Sequence, residues 1–235
     1  MEESPTKLQI LRSSNLLNGL TDDQIEELAS YSRTSFAERG DLIWLNGNTV
    51  SFFGVVGTGF VKMTRTTPNG QEVTTEIMGP GQVFGLLGVI DGSGCPQTAK
   101  AVCSAWYLKV PKSAILPIYQ ENVILKEHLV RRTANRLRQS YDMISTLSAG
   151  KVDQRVAAVL LMLSNSYGED TATGVMIAVP LTRQNIAEIA GTTVESTIRV
   201  MSRWQKQGLV TTEAKHISIR DPRALLLAVQ GGTSV

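Results

Sequence analysis

Three side chains in the C-terminal third are spaced for recognition chemistry. Glu195, Arg199 and Arg203 stand four apart, so on an α-helix they share one stripe. A carboxylate accepts from the cytosine amino group, and a guanidinium binds guanine O6 and N7 through two hydrogen bonds. A stripe of this kind can read adjacent base pairs in a DNA major groove. Ile198 stands beside it and offers an apolar contact to a thymine methyl. Thr182, Thr192, Thr193 and Ser196 fall at helix starts, where hydroxyls and unpaired backbone N–H groups can hold phosphate. The same residues also admit a structural reading. Thr192 with Glu195 fits a capping box, and Glu195 with Arg199 fits a surface ion pair.

The elements that would position the stripe follow from the flanking sequence. Thr182 is an N-cap, and Ile186, Ile189 and Ala190 recur at helical spacing behind it. Gly191 stands where a left-handed turn residue is wanted. A second helix starts at Thr192 or Thr193, buries Thr197, Val200, Met201 and Trp204, and ends at Gly208. Two β-like runs, Leu209–Glu213 and His216–Arg220, then flank Ala214-Lys215. They predict a hairpin wing with Lys215 at its tip, set to meet a phosphate. Arg183 and Arg203 join Lys215 as expected phosphate contacts. Helix, turn, helix and wing in this order form a DNA-binding unit whose second helix enters the groove N-terminus first.

The phrases TRQNIAEIAGTTVESTIRVMSRWQKQGLV and ISIRDPRAL resemble the winged helix-turn-helix of the Crp–Fnr superfamily of transcription regulators. The resemblance implies that Glu195 and Arg199 are the main base readers, with Val194 and Ile198 at the variable specificity positions. This set looks more like the Fnr side of the superfamily than the Crp side. It implies palindromic half-sites containing TGA, read by a homodimer. Ile198 departs from the serine common on that side.

Upstream, residues 34–110 alternate short β-rich runs with glycine punctuation such as Gly57-Thr58-Gly59, Pro68-Asn69-Gly70 and Gly79-Pro80-Gly81. Many short strands with regular turns predict a barrel or jelly roll, and Asn69-Gly70 between two runs predicts a hairpin. A short helix after the Thr21-Asp22-Asp23 cap cluster precedes the strands, and another opens on Pro111. Residues 121–147 carry neither glycine nor proline, and Val123, Val130, Leu137 and Ile144 recur every seven positions. Ala134 and Tyr141 fall at the partner positions of this heptad seam, which Glu127 and Ser148 interrupt. An amphipathic helix packed on its own barrel is the alternative; the resemblance favours a dimer interface. The expected class is therefore α+β. A cyclic-nucleotide-binding-like β-barrel with flanking helices spans 1–120, a dimerisation helix and hinge 121–149, and a winged helix-turn-helix 150–235.

The resemblance also places an effector site, at Phe84, Gly85, Leu86, Leu87, Gly88, Gln97 and Thr98 of the barrel and at Ser140 and Tyr141 of the long helix. Cyclic-AMP-binding members carry an acid for the ribose and an arginine for the phosphate. Leu86 stands at the acid here, and Pro96 or Gln97 at the arginine. An unpaired buried phosphate would lose several kcal/mol, so the signal is expected not to be cyclic AMP, and its identity is unknown. Cys95 and Cys103 are too few for a four-cysteine iron–sulfur cluster. His128 and His216 read as surface and wing residues rather than haem ligands. Cys95, in a glycine-rich loop, is a candidate thiol, although a bystander role is the simpler reading.

The net charge is only +2, but it is uneven. Residues 1–120 hold nine Lys/Arg against eleven Asp/Glu, and residues 121–235 fourteen against ten. The basic half carries the helix-turn-helix, as attraction to phosphate requires. An acidic start and no apolar run of about 20 residues predict a cytoplasmic protein that does not enter a membrane. No catalytic triad, metal-ligand spacing, P-loop or dinucleotide fingerprint is present, so no catalytic and no metal residue is assigned. Two other readings stay open: a constitutive DNA binder with a vestigial barrel, and a small-molecule-binding module or enzyme with an incidental winged helix. The loop 166–174 matches an RNA polymerase contact surface in activating relatives.

Overall fold

A computed structural model describes residues 4–229. The chain divides into two compact units. One gathers residues up to Thr66 with Thr75–Leu137; the other gathers Thr67–Thr74 with the chain from Arg138 onward.

The first unit opens with two short helices, α1 (Lys7–Arg12) and α2 (Asp22–Tyr31). Each begins on a reciprocal cap, Thr6 with Gln9 and Thr21 with Gln24. The sequence reading anticipated only the second, because the first turn and a half has few apolar repeats. Strands follow as β1 (Arg33–Ala37), β2 (Leu42–Trp44), β3 (Phe52–Thr58), β4 (Val61–Thr66), β5 (Glu72–Met78) and β6 (Val83–Phe84). A short helix α3 (Leu86–Asp91) precedes β7 (Thr98–Ala101) and β8 (Ala105–Pro111). They form two four-stranded sheets, ordered β1-β8-β3-β6 and β2-β7-β4-β5. Neither β1 nor α3 was anticipated. The β1 run has no clean alternation of burial, and α3 starts and ends on left-handed glycines, Gly85 and Gly92.

A core of Trp44, Val56, Val61, Met63, Met78, Phe84 and Tyr107 fills the barrel. Trp44 stacks on Phe84 with ring centroids 5.1 Å apart. A second core joins Leu11, Leu28, Phe53, Leu108 and Ile115 to Leu125 and Leu129 of the long helix. Helices α4 (Lys112–Glu121) and α5 (Val123–Ala149) are parted by Asn122, whose Oδ1 accepts from the Leu125 N–H at 2.8 Å. This side-chain cap fixes where the 27-residue helix begins.

The second unit holds the rest of α5, then α6 (Val152–Tyr167), β9 (Gly168–Thr171), β10 (Gly174–Ile177), α7 (Arg183–Ala190), α8 (Val194–Lys206), β11 (Val210–Glu213), β12 (His216–Ile219) and α9 (Pro222–Val229). Within the loop expected over 166–174, Gly168–Thr171 is a strand that pairs antiparallel with β10. The wing is thus two strands of a four-stranded sheet, β11-β12-β10-β9. Polar side chains hid β9, because an edge strand facing water on both sides shows no apolar alternation. Val156, Leu160, Leu163, Ile186, Met201, Trp204, Ile217 and Leu225 are buried together in this unit. Among the described residues no helix is long and apolar enough to cross a membrane. The expected loose tail, Gly231–Val235, lies outside the described residues.

Candidate nucleic-acid interface and ligand cavity

In the second unit the two helices meet at Gly191, which adopts φ 56° and ψ 42°. Its N–H donates to the Ala187 carbonyl, which closes α7 through the left-handed residue. Arg155 of α6 donates from Nη1 to the Gly191 carbonyl at 2.9 Å. This arginine, which clamps the turn between the helices, had no sequence signal beyond its charge. Thr182 opens α7 with its hydroxyl accepting from the Asn185 N–H at 3.2 Å and donating to Asn185 Oδ1 at 2.8 Å.

The start of α8 bears on the capping reading of Glu195. Thr193, not Thr192, is the N-cap, and its Oγ1 accepts from the Ser196 N–H at 3.2 Å. Glu195 therefore sits one residue short of the capping-box position and is exposed. Among the described residues no ion pair joins it to Arg199. Arg199 instead donates to Ser196 Oγ at 3.3 Å. Glu195, Ile198 and Arg199 are all exposed, while Thr197, Val200, Met201 and Trp204 are buried. The helix thus presents a polar outer face with one exposed apolar contact, Ile198, and anchors the opposite face in the core. Val194, Thr192 and Ser196 are half-buried around its first turn, and Thr193 is exposed there.

The expected phosphate contacts divide. Lys215 is exposed at the wing tip, where Ala214 and Lys215 both have positive φ, 46° and 72°. Two such residues in a row make the mirror-image turn that suits a two-residue hairpin. The Lys215 carbonyl accepts from the Leu181 N–H at 2.9 Å, which ties the tip to the entry of α7. Arg183 is half-buried and donates to Thr212 Oγ1 of β11 at 3.0 Å; burial lowers its pKa. Arg203 pairs with Asp153 of α6 at 2.7 Å, with both side chains about half exposed.

In the first unit a cavity of about 310 Å³ opens beside α3. Phe84, Gly85, Leu86, Leu87, Gly88 and Gln97 line it. Gly85 has φ 80°, and a Cβ there would come within 2.7 Å of the Trp44 ring. Leu86, the residue that the resemblance sets at the acid position, is buried. Thr98 lies on β7 and accepts from the Asn46 N–H at 3.0 Å; it does not line the cavity. The helix contributes Leu129, Arg132, Thr133 and Arg136. Ser140 and Tyr141 lie a turn further along α5, are exposed, and are not among the lining residues.

The arginines are what the sequence reading missed. Arg132 donates from Nη2 to the Val83 carbonyl. Arg136 forms an ion pair with Glu76 of β5 and donates to Gln97 Oε1 at 3.3 Å. Burial raises the Glu76 pKa, while Arg136 and Arg132 pull it down. Leu125, Leu129, Arg132 and Arg136 follow at intervals of four, three and four, so they form one helix face offset from the heptad seam. That offset was the available signal. Cys95 also lines the cavity. It is buried, and burial pushes its thiol up to about 11, which is the reverse of an activated nucleophile.

Along α5, Val123, Val130, Leu137, Tyr141 and Ile144 are between 50% and 67% exposed, and Ala134 is half-buried. His128 is half-buried with Nδ1 3.4 Å from the Leu16 carbonyl. His216 is half-buried in β12. Among the described residues no cluster of three metal-ligating side chains occurs.

A winged helix-turn-helix that follows a β-barrel and one long helix in the chain defines a class of two-part DNA-binding proteins. Residues 154–227 match the Crp-like helix-turn-helix domain, and residues 35–122 match the cyclic nucleotide-binding domain. The transcriptional activator protein FnrA of Stutzerimonas stutzeri is 26% identical over 216 residues, covering 92% of this chain and 87% of its own. A CRP-like cAMP-activated global transcriptional regulator of Mycobacterium tuberculosis is 24% identical, covering 92% of this chain and 97% of its own. The solved structure of FixK2 from Bradyrhizobium japonicum matches with a TM-score of 0.74 at 24% identity, over 83% of this chain and 96% of that one. The chain belongs to the Crp–Fnr superfamily and is a transcription regulator with a DNA-binding helix-turn-helix.

Proposed function

We propose that this regulator works as a homodimer that reads palindromic DNA with TGA-containing half-sites, under a signal received in the barrel cavity that is not cyclic AMP. The observation that carries the reading is the face of α8. Thr193 takes the capping role, so Glu195 and Arg199 stand exposed on one stripe with Ile198 beside them. Groups so placed fit base edges, with Val194 at the helix start. Thr182, Arg183, Thr192, Thr193, Ser196, Arg203 and Lys215 surround the stripe as phosphate contacts. Arg183 and Arg203 would exchange their present partners for phosphate.

Dimerisation is supported by the uncovered heptad residues on α5, since large apolar side chains at seven-residue spacing are a coiled-coil seam. The cavity, with its charged lining, favours a gated protein over a constitutive one. The segment 166–174, in which Gly168–Thr171 is exposed throughout, is the surface we assign to RNA polymerase contact. The relatives' roles as regulators support a non-enzymatic protein that works in the cytoplasm.

Selection from random duplex DNA at one stated salt concentration tests the reading, because affinities shift steeply with salt. A palindrome with TGA half-sites is the expected product. Enrichment of a single, non-repeated element would refute the dimer, and enrichment of nothing, with or without cell extract, would refute the DNA reading.

A further inference from the structure

The cavity in the barrel unit carries an excess of positive charge. Its described lining includes Arg65, Arg132 and Arg136 and no carboxylate. Glu76 stands behind that lining and pairs with Arg136. The remaining wall is largely apolar, with Met63, Met78, Val83, Phe84 and Leu129 among it. Arg132 is held against the Val83 carbonyl and Met78 Sδ, so its guanidinium is fixed before any ligand enters. At about 310 Å³ the space is at the small end of ligand sites.

From this arrangement we propose that the cavity binds a small organic anion, a carboxylate or phosphate head on an apolar body. Arg132 and Arg136 hold the head, and Glu76 is a tethered competitor that the ligand displaces from Arg136. The proposal deepens the reading above by naming the chemistry of its signal. Guanidinium and carboxylate or phosphate match in geometry, which favours two-point contact with either head. Glu76 meets the same guanidinium at a cost, because burial disfavours its charged form. A ligand that supplies its own anion lets Glu76 leave for a wetter or protonated state. The apolar wall then selects for the ligand's body, and Leu86 gives a ribose hydroxyl no acceptor.

The test is thermal unfolding of the full chain as wild type, Glu76→Gln and Glu76→Gln/Arg136→Gln. Hexanoate, acetate and butyl phosphate are the probes, with hexanamide as the neutral control and chloride matched for ionic strength. The expected result is a saturable rise of several degrees for Glu76→Gln with hexanoate or butyl phosphate. Hexanoate should saturate at roughly tenfold lower concentration than acetate or better, because its methylenes are buried. Wild type should respond at higher concentration, since Glu76 competes, and the double variant should not respond. The larger of the hexanoate and butyl phosphate responses identifies the head group. If Glu76→Gln does not fold, Arg136→Gln against wild type carries the test, and the wild-type response must vanish in it. An equal response to hexanamide, no response beyond matched chloride, or a response that survives loss of Arg136 would overturn the proposal. DNA selection with the same preparations separates the two readings: a palindrome without an anion response defeats only this inference, and an anion response without DNA defeats only the other.

Discussion

Arg199 makes a 3.3 Å contact to Ser196 Oγ in the free chain, a bond weak enough to yield to guanine. Arg199→Ala should cost about 1–3 kcal/mol on the selected site and relax discrimination at one base pair. Equal losses on specific and random duplexes, read by titration, would refute base reading. Lys215 offers a separable test. Its positive φ carries a cost that glycine would not pay, about 1–2 kcal/mol for an L residue. Lys215→Gly should therefore raise stability while weakening all DNA alike and shallowing the salt slope by about one unit. Chemical denaturation and salt titration of the same variant check both halves. Cys95 gives a pH prediction. Its pKa is raised from 9.0 to about 11, so burying the neutral thiol stabilises the fold fully below pH 9. That contribution is lost as pH rises through 11. At pH 8, alkylation followed by mass spectrometry should label Cys103 well before Cys95.

On α5, two faces of one element differ in burial. Leu125 and Leu129 are buried in the barrel unit, and the heptad residues are exposed. Val130→Glu with Leu137→Glu should leave helix content unchanged and halve the mass in sedimentation; an unchanged mass would dismiss the seam. The exposed apolar stripe was legible because its period of seven is long and its residues are bulky. Both helices of the helix-turn-helix were legible for a related reason: Thr182, Gly191 and the buried Val200–Met201–Trp204 face are strong local signals. The cap at Thr193 was not separable from Thr192, since both hydroxyls precede the same helix. β1, α3 and β9 escaped because short or edge elements lack a full period of apolar residues. The cavity arginines escaped because Glu76 and Arg136 are 60 residues apart, and only the folded barrel brings them together. Gln97 and Leu86 were placed at the cavity through resemblance, whereas Ser140 and Tyr141, placed by the same resemblance, are not among its lining residues.

Across the whole chain, the unit that carries the DNA-reading helix has its own core, from Val156 to Leu225. A fragment of residues 150–235 is expected to fold and to bind single half-sites. Without the seam, its affinity for the palindrome should fall by about 10²–10⁴, the usual gain from linking two weak contacts. Calorimetry and titration against half and full sites would measure this; an undiminished affinity for the full site would show that pairing resides in the C-terminal unit.

Pairing through the exposed stripe on α5, as we propose, has a further consequence for the cell. When pairing is weak, the number of dimers able to grip a two-fold site rises with the square of the number of chains. The protein's own abundance then becomes an input beside the signal we propose for the cavity. Below a threshold of expression the target genes would be deaf to the signal, and above it a modest change in synthesis would be felt as a steep change in transcription.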